Sequence, residues 1–244
     1  MNRALRTLGV LTTVLLLVGG LAQAQAVADE TTPDPAAPTI AVGDCFALTT
    51  ADADAATLTK EPTDCAAPHT TEVITVSTLP EQLTWSSTQA DLFAAVQPVC
   101  SRAVDKVTGG NPLRQVRSQY DVVWFQPTAE QIGLGARWFS CHIVVVEDTG
   151  IAALPHPLTK LGNRIPDSVA TCTTKALKAT TCADKHAWRA SHSFYAVGKP
   201  TKRSVDRAAA QTCPKHVTSR KWLRSAVQIA PKRFIVVCYS QTKR

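Results

Sequence analysis

The sequence lacks the short motifs that mark the most common catalytic and metal-binding sites. It contains no G-x-S-x-G nucleophile motif, no H-E-x-x-H zinc motif and no phosphate-binding glycine loop. None of its eight cysteines forms a C-x-x-C pair, whereas structural zinc sites favour closely spaced ligands. The 15 Pro and 11 Gly follow no period, and 45% of the residues are hydrophobic, which excludes collagen-like and disordered chains. We therefore predict a globular protein that is not an enzyme and binds no metal or cofactor.

The N-terminal residues have the pattern of a secretory signal peptide. Two arginines precede an apolar run of 14 residues from Leu8 to Leu21, and small residues with Ala-x-Ala spacing follow it. The run is shorter than the roughly 20 residues that span a bilayer, so cleavage is favoured, and retention as an uncleaved anchor is the alternative. The sequence thus predicts a signal peptide at 1–28, a Pro-rich leader at 29–40 and a mature chain outside the cytoplasm.

Outside the cytoplasm, an even number of cysteines indicates disulfides rather than metal or thiol chemistry. If the eight cysteines divide into two groups of four, far fewer pairings remain possible. Among these we favour pairing in sequence order, because it would tie a helix cysteine to a strand cysteine in each half. The predicted bonds are Cys45–Cys65, Cys100–Cys141, Cys172–Cys182 and Cys213–Cys238.

Charge divides the chain into two unlike parts. Residues 29–150 contain 16 acidic and 6 basic residues, a net charge of −10, whereas residues 151–244 contain 3 acidic and 18 basic residues, a net charge of +15. The basic surplus exceeds what solubility requires and predicts attraction to an anionic polymer or surface. Opposite charges also allow the two parts to dock on each other, or copies of the chain to associate head to tail.

The two parts nevertheless share an order of motifs. A C-x-x-x-H motif (65–69 and 182–186) comes first, and a β-rich segment follows it. An Ala-rich stretch ending in cysteine comes next, and an aromatic and apolar run leads into a last cysteine. This shared order predicts an internal duplication. We place an acidic domain at 41–148, a linker at 149–168 and a basic, degenerate repeat at 169–244.

Residue patterns in the acidic part predict an α+β domain. Runs of β-branched and aromatic residues at 73–76, 121–125 and 138–146 are typical of strands. Apolar residues that recur at three- and four-residue steps over 92–107 predict a helix packed on the sheet. Pro98 inside that stretch predicts a kink or a later helix start. We expect two duplicated small domains, each an antiparallel or mixed sheet with one packed helix and two disulfides.

Several segments of the first half match a known family pattern. They are Gly43-Asp-Cys-Phe46, the stretch DCAAPHTTEV at 64–73, Cys100, and Gly135-Ala-Arg-Trp-Phe-Ser-Cys141. On these segments the first half resembles the septum-formation domain family of actinobacterial extracytoplasmic proteins. The second half lacks the first motif, and Lys185 precedes its histidine where the first half has proline. The resemblance implies an envelope protein linked to division or wall biology, with no known activity or catalytic residues.

In each half a histidine follows a cysteine by four residues, as in a Cys–His nucleophilic pair. Because both cysteines are expected in disulfides, no thiolate remains for catalysis. We therefore expect His69 and His186 to order turns beside the disulfides. Glu72 is placed to hydrogen-bond His69 and to fix its imidazole.

The basic residues of the second half are the strongest indication of a binding function. They fall in three clusters near Trp222 and Phe234. The candidate anion-binding residues are Lys199, Lys202, Arg203, Arg207, Lys215, Arg220, Lys221, Arg224, Lys232 and Arg233. We expect them to contact an anionic wall polymer or membrane surface, with binding that weakens as salt rises. Nucleic acid suits the charge equally well, but a secreted chain rarely meets it, so nucleic acid is not the expected partner.

Two other functions fit the same sequence. One is a secreted enzyme whose site lies between the two domains, and the other is a structural protein that self-associates through its oppositely charged halves. A pocket between the halves lined by histidines and carboxylates would favour the enzyme, whereas a flat basic face would favour binding. In the binding interpretation, the acidic half remains free for a protein partner of the envelope.

Overall fold

The computed structural model describes residue 34 and residues 36–242. The predicted signal peptide lies outside the described residues, and so do residues 29–33 and 35 of the predicted leader. Within the described part, none of the helices has both the length and the apolar character that crossing a membrane requires.

The first half is an antiparallel sheet with one long helix against it. The strand order is β1-β2-β4-β3, and β5 pairs with the far end of β4. The strands are β1 (Cys45–Phe46), β2 (Thr71–Thr78), β3 (Tyr120–Phe125), β4 (Trp138–Glu147) and β5 (Gly150–Ala152). The three strands predicted in this half are confirmed. The long run at 138–146 forms the central strand β4, and its first eight residues are all buried.

The long helix, α2 (Gln89–Thr108), crosses this sheet and continues through Pro98. The Thr88 side chain accepts a hydrogen bond from the Asp91 backbone N–H at its start, and Gly109 ends it in the left-handed conformation at φ 96°. Of the two alternatives expected at Pro98, the later helix start is wrong, because the helix begins at Gln89, and the kink stays a prediction. Pro98 has no N–H to donate to the carbonyl of Ala94, one turn earlier. Both residues are exposed, so this carbonyl lies on the solvent-facing side of the helix.

The first half also contains three short helices that the sequence analysis did not predict. They are α1 (Thr50–Ala53), α3 (Pro112–Gln115) and α4 (Ala129–Gly133). Thr49, Asn111 and Thr128 cap them through side-chain oxygens. None of the three contains a buried residue, so none has the apolar stripe by which a helix is recognised in sequence. The expectation of one helix for each half is therefore not met here.

The second half is a five-stranded antiparallel sheet with the order β7-β6-β8-β10-β9. Its elements are β6 (Thr171–Thr173), β7 (Ala179–Thr181), β8 (Trp188–Val197), α5 (Lys202–Thr212), a 3-10 turn (Cys213–Lys215), β9 (Trp222–Ala230) and β10 (Arg233–Gln241). Val205, Ala209 and Cys213 pack against Phe234 and Val236 of the sheet. The protein as a whole is α+β, as predicted.

The two sheets share strand order and register. The orders β1-β2-β4-β3 and β6-β8-β10-β9 correspond, and a helix follows the second strand of each. Cys45 lies opposite Glu72 on β2, and Cys172 lies opposite Arg189 on β8. Each of these partners follows the second cysteine of its half by seven residues. In both sheets the register shifts by one residue at the corresponding place, beside Ile74 of β2 and Ser191 of β8.

All eight cysteines are paired, and the pairs follow sequence order as expected. The bonds are Cys45–Cys65, Cys100–Cys141, Cys172–Cys182 and Cys213–Cys238. The second and fourth bonds each tie a helix, or the turn that ends it, to the central strand of a sheet. No cysteine is left as a free thiol.

The hydrophobic core of the first half extends into the second. Val96 and Cys100 of α2 belong to the same buried cluster as Leu161, Ile165 and Val169. The backbone continues this contact, because the N–H of Gln119 donates to the carbonyl of Val169 at 2.8 Å and the N–H of Thr171 donates to that of Arg117 at 2.8 Å. The segment predicted as a linker at 149–168 therefore contributes side chains to the core. The predicted domain boundaries remain a prediction.

Gly150 occupies a position where no other residue fits without strain. Its φ is +122°, and a Cβ there would overlap the Oγ1 of Thr50 in α1. We expect Gly150→Ala to lower the free energy of unfolding by about 2 kcal/mol, measured by urea unfolding. Gly133→Ala in α4 is the matched control, because nothing lies within 4 Å of its added methyl group and its φ is not positive. An equal effect of both substitutions would contradict this assignment.

Candidate functional site

Five of the ten candidate anion-binding residues meet at one end of the second sheet. The N–H of Gly198 donates to the carbonyl of Lys232 at 2.9 Å, which holds the loop after β8 against the β9–β10 turn. Helix α5 begins beside that loop. We call this group the hairpin end, and its members are Lys199, Lys202, Arg203, Lys232 and Arg233. All five are exposed.

Apolar side chains lie exposed beside the hairpin end. Tyr195 is 43% exposed and Val197 is 87% exposed, and Val227 and Ile229 on β9 are also exposed. The Arg233 guanidinium lies 5.1 Å from the centroid of the Tyr195 ring. This end of the sheet therefore presents aliphatic and aromatic surface next to positive charge.

Three other candidates lie at the opposite end of the same sheet. Lys215, Arg220 and Lys221, which we call the loop end, are exposed in the segment between α5 and β9. Two hydrogen bonds hold the segment to β10, from the Thr218 N–H to Ser240 Oγ at 3.1 Å and from the Gln241 N–H to Ser219 Oγ at 2.7 Å. Since β9 rises about 3.4 Å for each residue, roughly 27 Å separate the two ends.

The remaining two candidates, Arg224 and Arg207, belong to neither end. The Arg224 guanidinium pairs with the Asp206 carboxylate and is partly buried, so its charge is neutralised within the second half. Lys202 of the hairpin end also contacts Asp206, at 2.9 Å, but its side chain is mostly exposed. Arg207 is exposed on α5, away from both ends. Within the described residues, only Lys202 and Arg224 of the ten candidates have a carboxylate within 4 Å.

The acidic half does not neutralise the candidate cations. In the part of the chain that the structure describes, a single ion pair joins residues 41–148 to residues 169–244, between Lys178 and Asp148 at 3.3 Å. Both side chains are largely exposed, and Lys178 is not one of the ten candidates. Buried side chains and hydrogen bonds hold the halves together instead, for example the Thr181 N–H donating to the Glu147 carboxylate at 2.6 Å.

A pocket of about 300 Å³ between the halves is lined by Arg117, Arg164 and Arg189 together with Ser191 and Ser240. Its lining contains neither a histidine nor a carboxylate, but one of its arginines, Arg189, is paired with the Asp167 carboxylate at 2.5 Å. Its position next to Thr218 and Gln241 places it beside the loop end. These arginines were not among the predicted site residues, because Arg117 belongs to the acidic half, Arg164 to the predicted linker and Arg189 to the second half. Net charge was summed along the sequence, which does not show that the three side chains share one pocket.

Arg117 is held in this pocket by backbone carbonyls of both halves. Its Nε donates to the Leu113 carbonyl at 3.2 Å and its Nη1 donates to the Ser191 carbonyl at 3.2 Å. Burial, followed by the nearby charges of Arg114 and Arg189, lowers the pKa of Arg117. Arginine remains charged even so, and the pocket combines fixed positive charge with hydroxyl groups.

The two histidines of the C-x-x-x-H motifs order turns, as expected. The Nδ1 of His69 lies 2.9 Å from the carbonyl of Ala67, and the Nδ1 of His186 lies 2.7 Å from that of Asp184. The expected hydrogen bond between Glu72 and His69 is not present in the described residues. Glu72 contacts His156 instead, at 3.3 Å, because the segment after β5 brings that ring over β2.

These features define a disulfide-stabilised α+β protein with two antiparallel sheets and a basic surface on the second. The family model described as septum formation matches residues 15–124. The match confirms the resemblance of this segment to the septum-formation family, and it includes Gly43–Phe46 and the stretch 64–73. Residues 125–244, which include the last motif of the resemblance and the whole second half, lie outside the match. No curated protein and no solved structure matches the chain.

Proposed function

We propose that this protein is a secreted, non-enzymatic envelope protein whose second half binds an anionic wall polymer or membrane surface. The septum-formation family points to a role in cell division or the envelope, and paired cysteines fit an oxidising, extracellular location. The observation that carries the proposal is the set of exposed cations at the hairpin and loop ends. Their charge faces solvent rather than the acidic half.

Electrostatics favours an external ligand over internal neutralisation. Each Lys or Arg near an anionic surface contributes about 1 kcal/mol, and this contribution falls as salt screens the charges. Eight exposed cations on one small sheet therefore provide a large, salt-dependent attraction. The arginine-lined pocket beside the loop end adds a concave site of the same sign, suited to a phosphate or carboxylate group of such a polymer.

The shared topology supports the proposal that the two halves arose by duplication of one module. Strand order, cysteine positions, pairing register and the position of the bulge all correspond. In this proposal the copies kept the backbone framework and diverged in charge. The acidic copy remains available for a protein partner of the envelope, and the basic copy binds the anionic ligand.

Co-sedimentation of the oxidised protein with purified cell walls, and separately with anionic lipid vesicles, tests the binding proposal at rising salt. Three variants each remove three positive charges. One changes Lys199, Arg203 and Lys232 to Gln at the hairpin end, and one changes Lys215, Arg220 and Lys221 to Gln at the loop end. The matched control changes Lys160, Lys175 and Lys185 to Gln, which are exposed and belong to neither end.

We expect the hairpin-end or loop-end variant to bind at least about ten-fold more weakly than the control at low salt, because three contacts are lost. Retention by walls or by vesicles identifies which anionic material the protein binds. Equal weakening in all three variants would indicate net charge alone and would contradict a defined site. If the protein sediments with neither material but forms oligomers that dissociate in salt, the self-associating structural function replaces this proposal.

A further inference from the structure

Three metal-ligating groups from distant parts of the sequence converge beside the first disulfide. His69 follows the Cys65 turn, Glu72 lies on β2, and His156 lies in the segment after β5. One nitrogen or oxygen atom from each, together with the sulfur of Cys45, lie within 4.8 Å of one another. Cys45 is bonded to Cys65, so the side chains free to coordinate an ion are two imidazoles and a carboxylate.

The His69 ring presents an unused acceptor to this cluster. Its Nδ1 lies 2.9 Å from the Ala67 carbonyl, which can only accept, so Nδ1 holds the proton and Nε2 holds a lone pair. The residue is 3% exposed, and Nε2 has no hydrogen-bond partner among the described residues. A buried nitrogen without a partner is unusual in a folded protein and needs a reason. A hydrogen bond from the other ring nitrogen to a backbone carbonyl is also one of the arrangements that orient metal-binding histidines.

Glu72 and His156 have the spacing of two ligands on one ion. The Glu72 carboxylate oxygen lies 3.3 Å from Nδ1 of His156. Two ligands at about 2.0–2.1 Å from zinc, in tetrahedral geometry, are separated by about 3.3–3.4 Å. The Glu72 side chain is 15% exposed and that of His156 is 41% exposed, so the cluster opens to solvent on one side. An ion can enter there, and a water molecule can complete its coordination.

We propose that His69, Glu72 and His156 form a binding site for a divalent transition-metal ion of the zinc type, with water as the fourth ligand. Two imidazoles and one carboxylate are a donor set that zinc prefers, and three protein ligands leave one position open. This site is independent of the basic surface of the second half. His69 and Glu72 lie in the acidic half and His156 lies in the segment after β5, and none of the three is a candidate anion-binding residue.

The second half provides an internal comparison. His186 makes the same backbone contact as His69, at 2.7 Å, and is also buried beside a disulfide. Arg189 stands where Glu72 stands in the first half, opposite the cysteine of the first strand. The cluster around His186 contains only Cys172 and Cys182 besides the histidine, and these are bonded to each other. Among the described residues the framework is thus repeated, but the cluster of two imidazoles and a carboxylate occurs around His69 and not around His186.

Calorimetric titration of the oxidised, metal-free chain with Zn²⁺ tests the proposal. The informative variants are Glu72→Gln, which keeps the size of the side chain, and His156→Ala, which removes an exposed ring. The control is His216→Ala, because His192 and His216 stack with ring centroids 3.7 Å apart and are another close pair of imidazoles. Urea unfolding of each metal-free variant checks that it folds like the parent.

We expect one Zn²⁺ to bind for each chain, with at least ten-fold weaker binding in Glu72→Gln and in His156→Ala and unchanged binding in His216→Ala. The melting temperature of the parent protein should rise with added Zn²⁺, while that of the two site variants should not. Unchanged affinity in both site variants would overturn the proposal. Loss of binding in His216→Ala alone would place the ion at the stacked pair and would also overturn it.

Discussion

Removal of the Cys100–Cys141 disulfide, by changing both cysteines to Ala, is expected to lower the free energy of unfolding by about 4 kcal/mol. The bond links residues separated by 41 positions, the longest separation among the four disulfides. Without it, the unfolded chain gains the entropy of an open loop of that length. The bond also joins α2 to the central strand inside the core.

The matched control for this change is the Cys172–Cys182 bond, which has a separation of 10. Its removal by the same double substitution should cost about 1 kcal/mol less, because a shorter loop restricts the unfolded chain less. Urea unfolding of both variants at neutral pH, without reductant, measures the two losses. A larger loss from the shorter loop would show that packing, rather than chain entropy, determines the ranking.

Acidification is expected to destabilise the protein through His142. This residue on β4 is fully buried, and its ring lies 4.8 Å from that of Phe125 and 5.5 Å from that of Phe46. Its Nε2 shares a 2.9 Å hydrogen bond with Ser140 Oγ, and its Nδ1 has no hydrogen-bond partner in the described part of the chain. Burial lowers the pKa of His142 from 6.5 to about 3. A proton can therefore bind to this ring far more readily in the unfolded chain.

The direction of the effect follows from this difference. The stability that the neutral ring contributes is complete above pH 6.5, and it is lost as pH falls toward the folded pKa of about 3. The loss is about 1.4 kcal/mol for each pH unit, or roughly 3 kcal/mol between pH 7 and pH 4. Carboxylates add their own acid dependence, but that dependence is common to parent and variant.

His142→Phe isolates this contribution, because it keeps an aromatic ring between Phe46 and Phe125 and removes the ionisable group. At pH 7 the variant should be less stable than the parent, since the buried Ser140 hydroxyl loses its partner. The difference should shrink or reverse by about 3 kcal/mol when both proteins are unfolded in urea at pH 4. Parallel stability curves for the parent and His142→Phe would contradict the assignment.

The features that the sequence predicted correctly depend on the local spacing of apolar residues or on the order of the cysteines. The strand at 138–146 and the helix over 92–107 follow from apolar spacing, and both occur. The order of the cysteines and the flanking motifs led to the observed pairing. These features depend on residues that are close in sequence or linked by a simple rule. Pro98 shows the limit of such rules, since its effect depends on which side of the helix faces solvent.

The features that sequence could not give depend on contacts between distant residues. His156 lies 84 positions after Glu72, and no spacing rule connects them. The Pro-containing stretch at 149–168 was interpreted as a linker because its apolar residues have no period. Leu161 and Ile165 are nevertheless buried, because α2 presents an apolar face that the sheet alone does not cover. Counting charge by half likewise separated arginines that share one pocket.

Because the core continues from α2 to Leu161, Ile165 and Val169, the two halves should stay together after a single cut in the chain. Every disulfide closes within one half, so a single protease cut after the exposed Lys160 would leave no covalent link between the halves. The pieces would still be joined by buried side chains and by the backbone bonds around Ser118 and Ala170. The nicked protein would thus persist as a non-covalent two-fragment complex, and a fragment expressed alone would lack part of the surface it packs against.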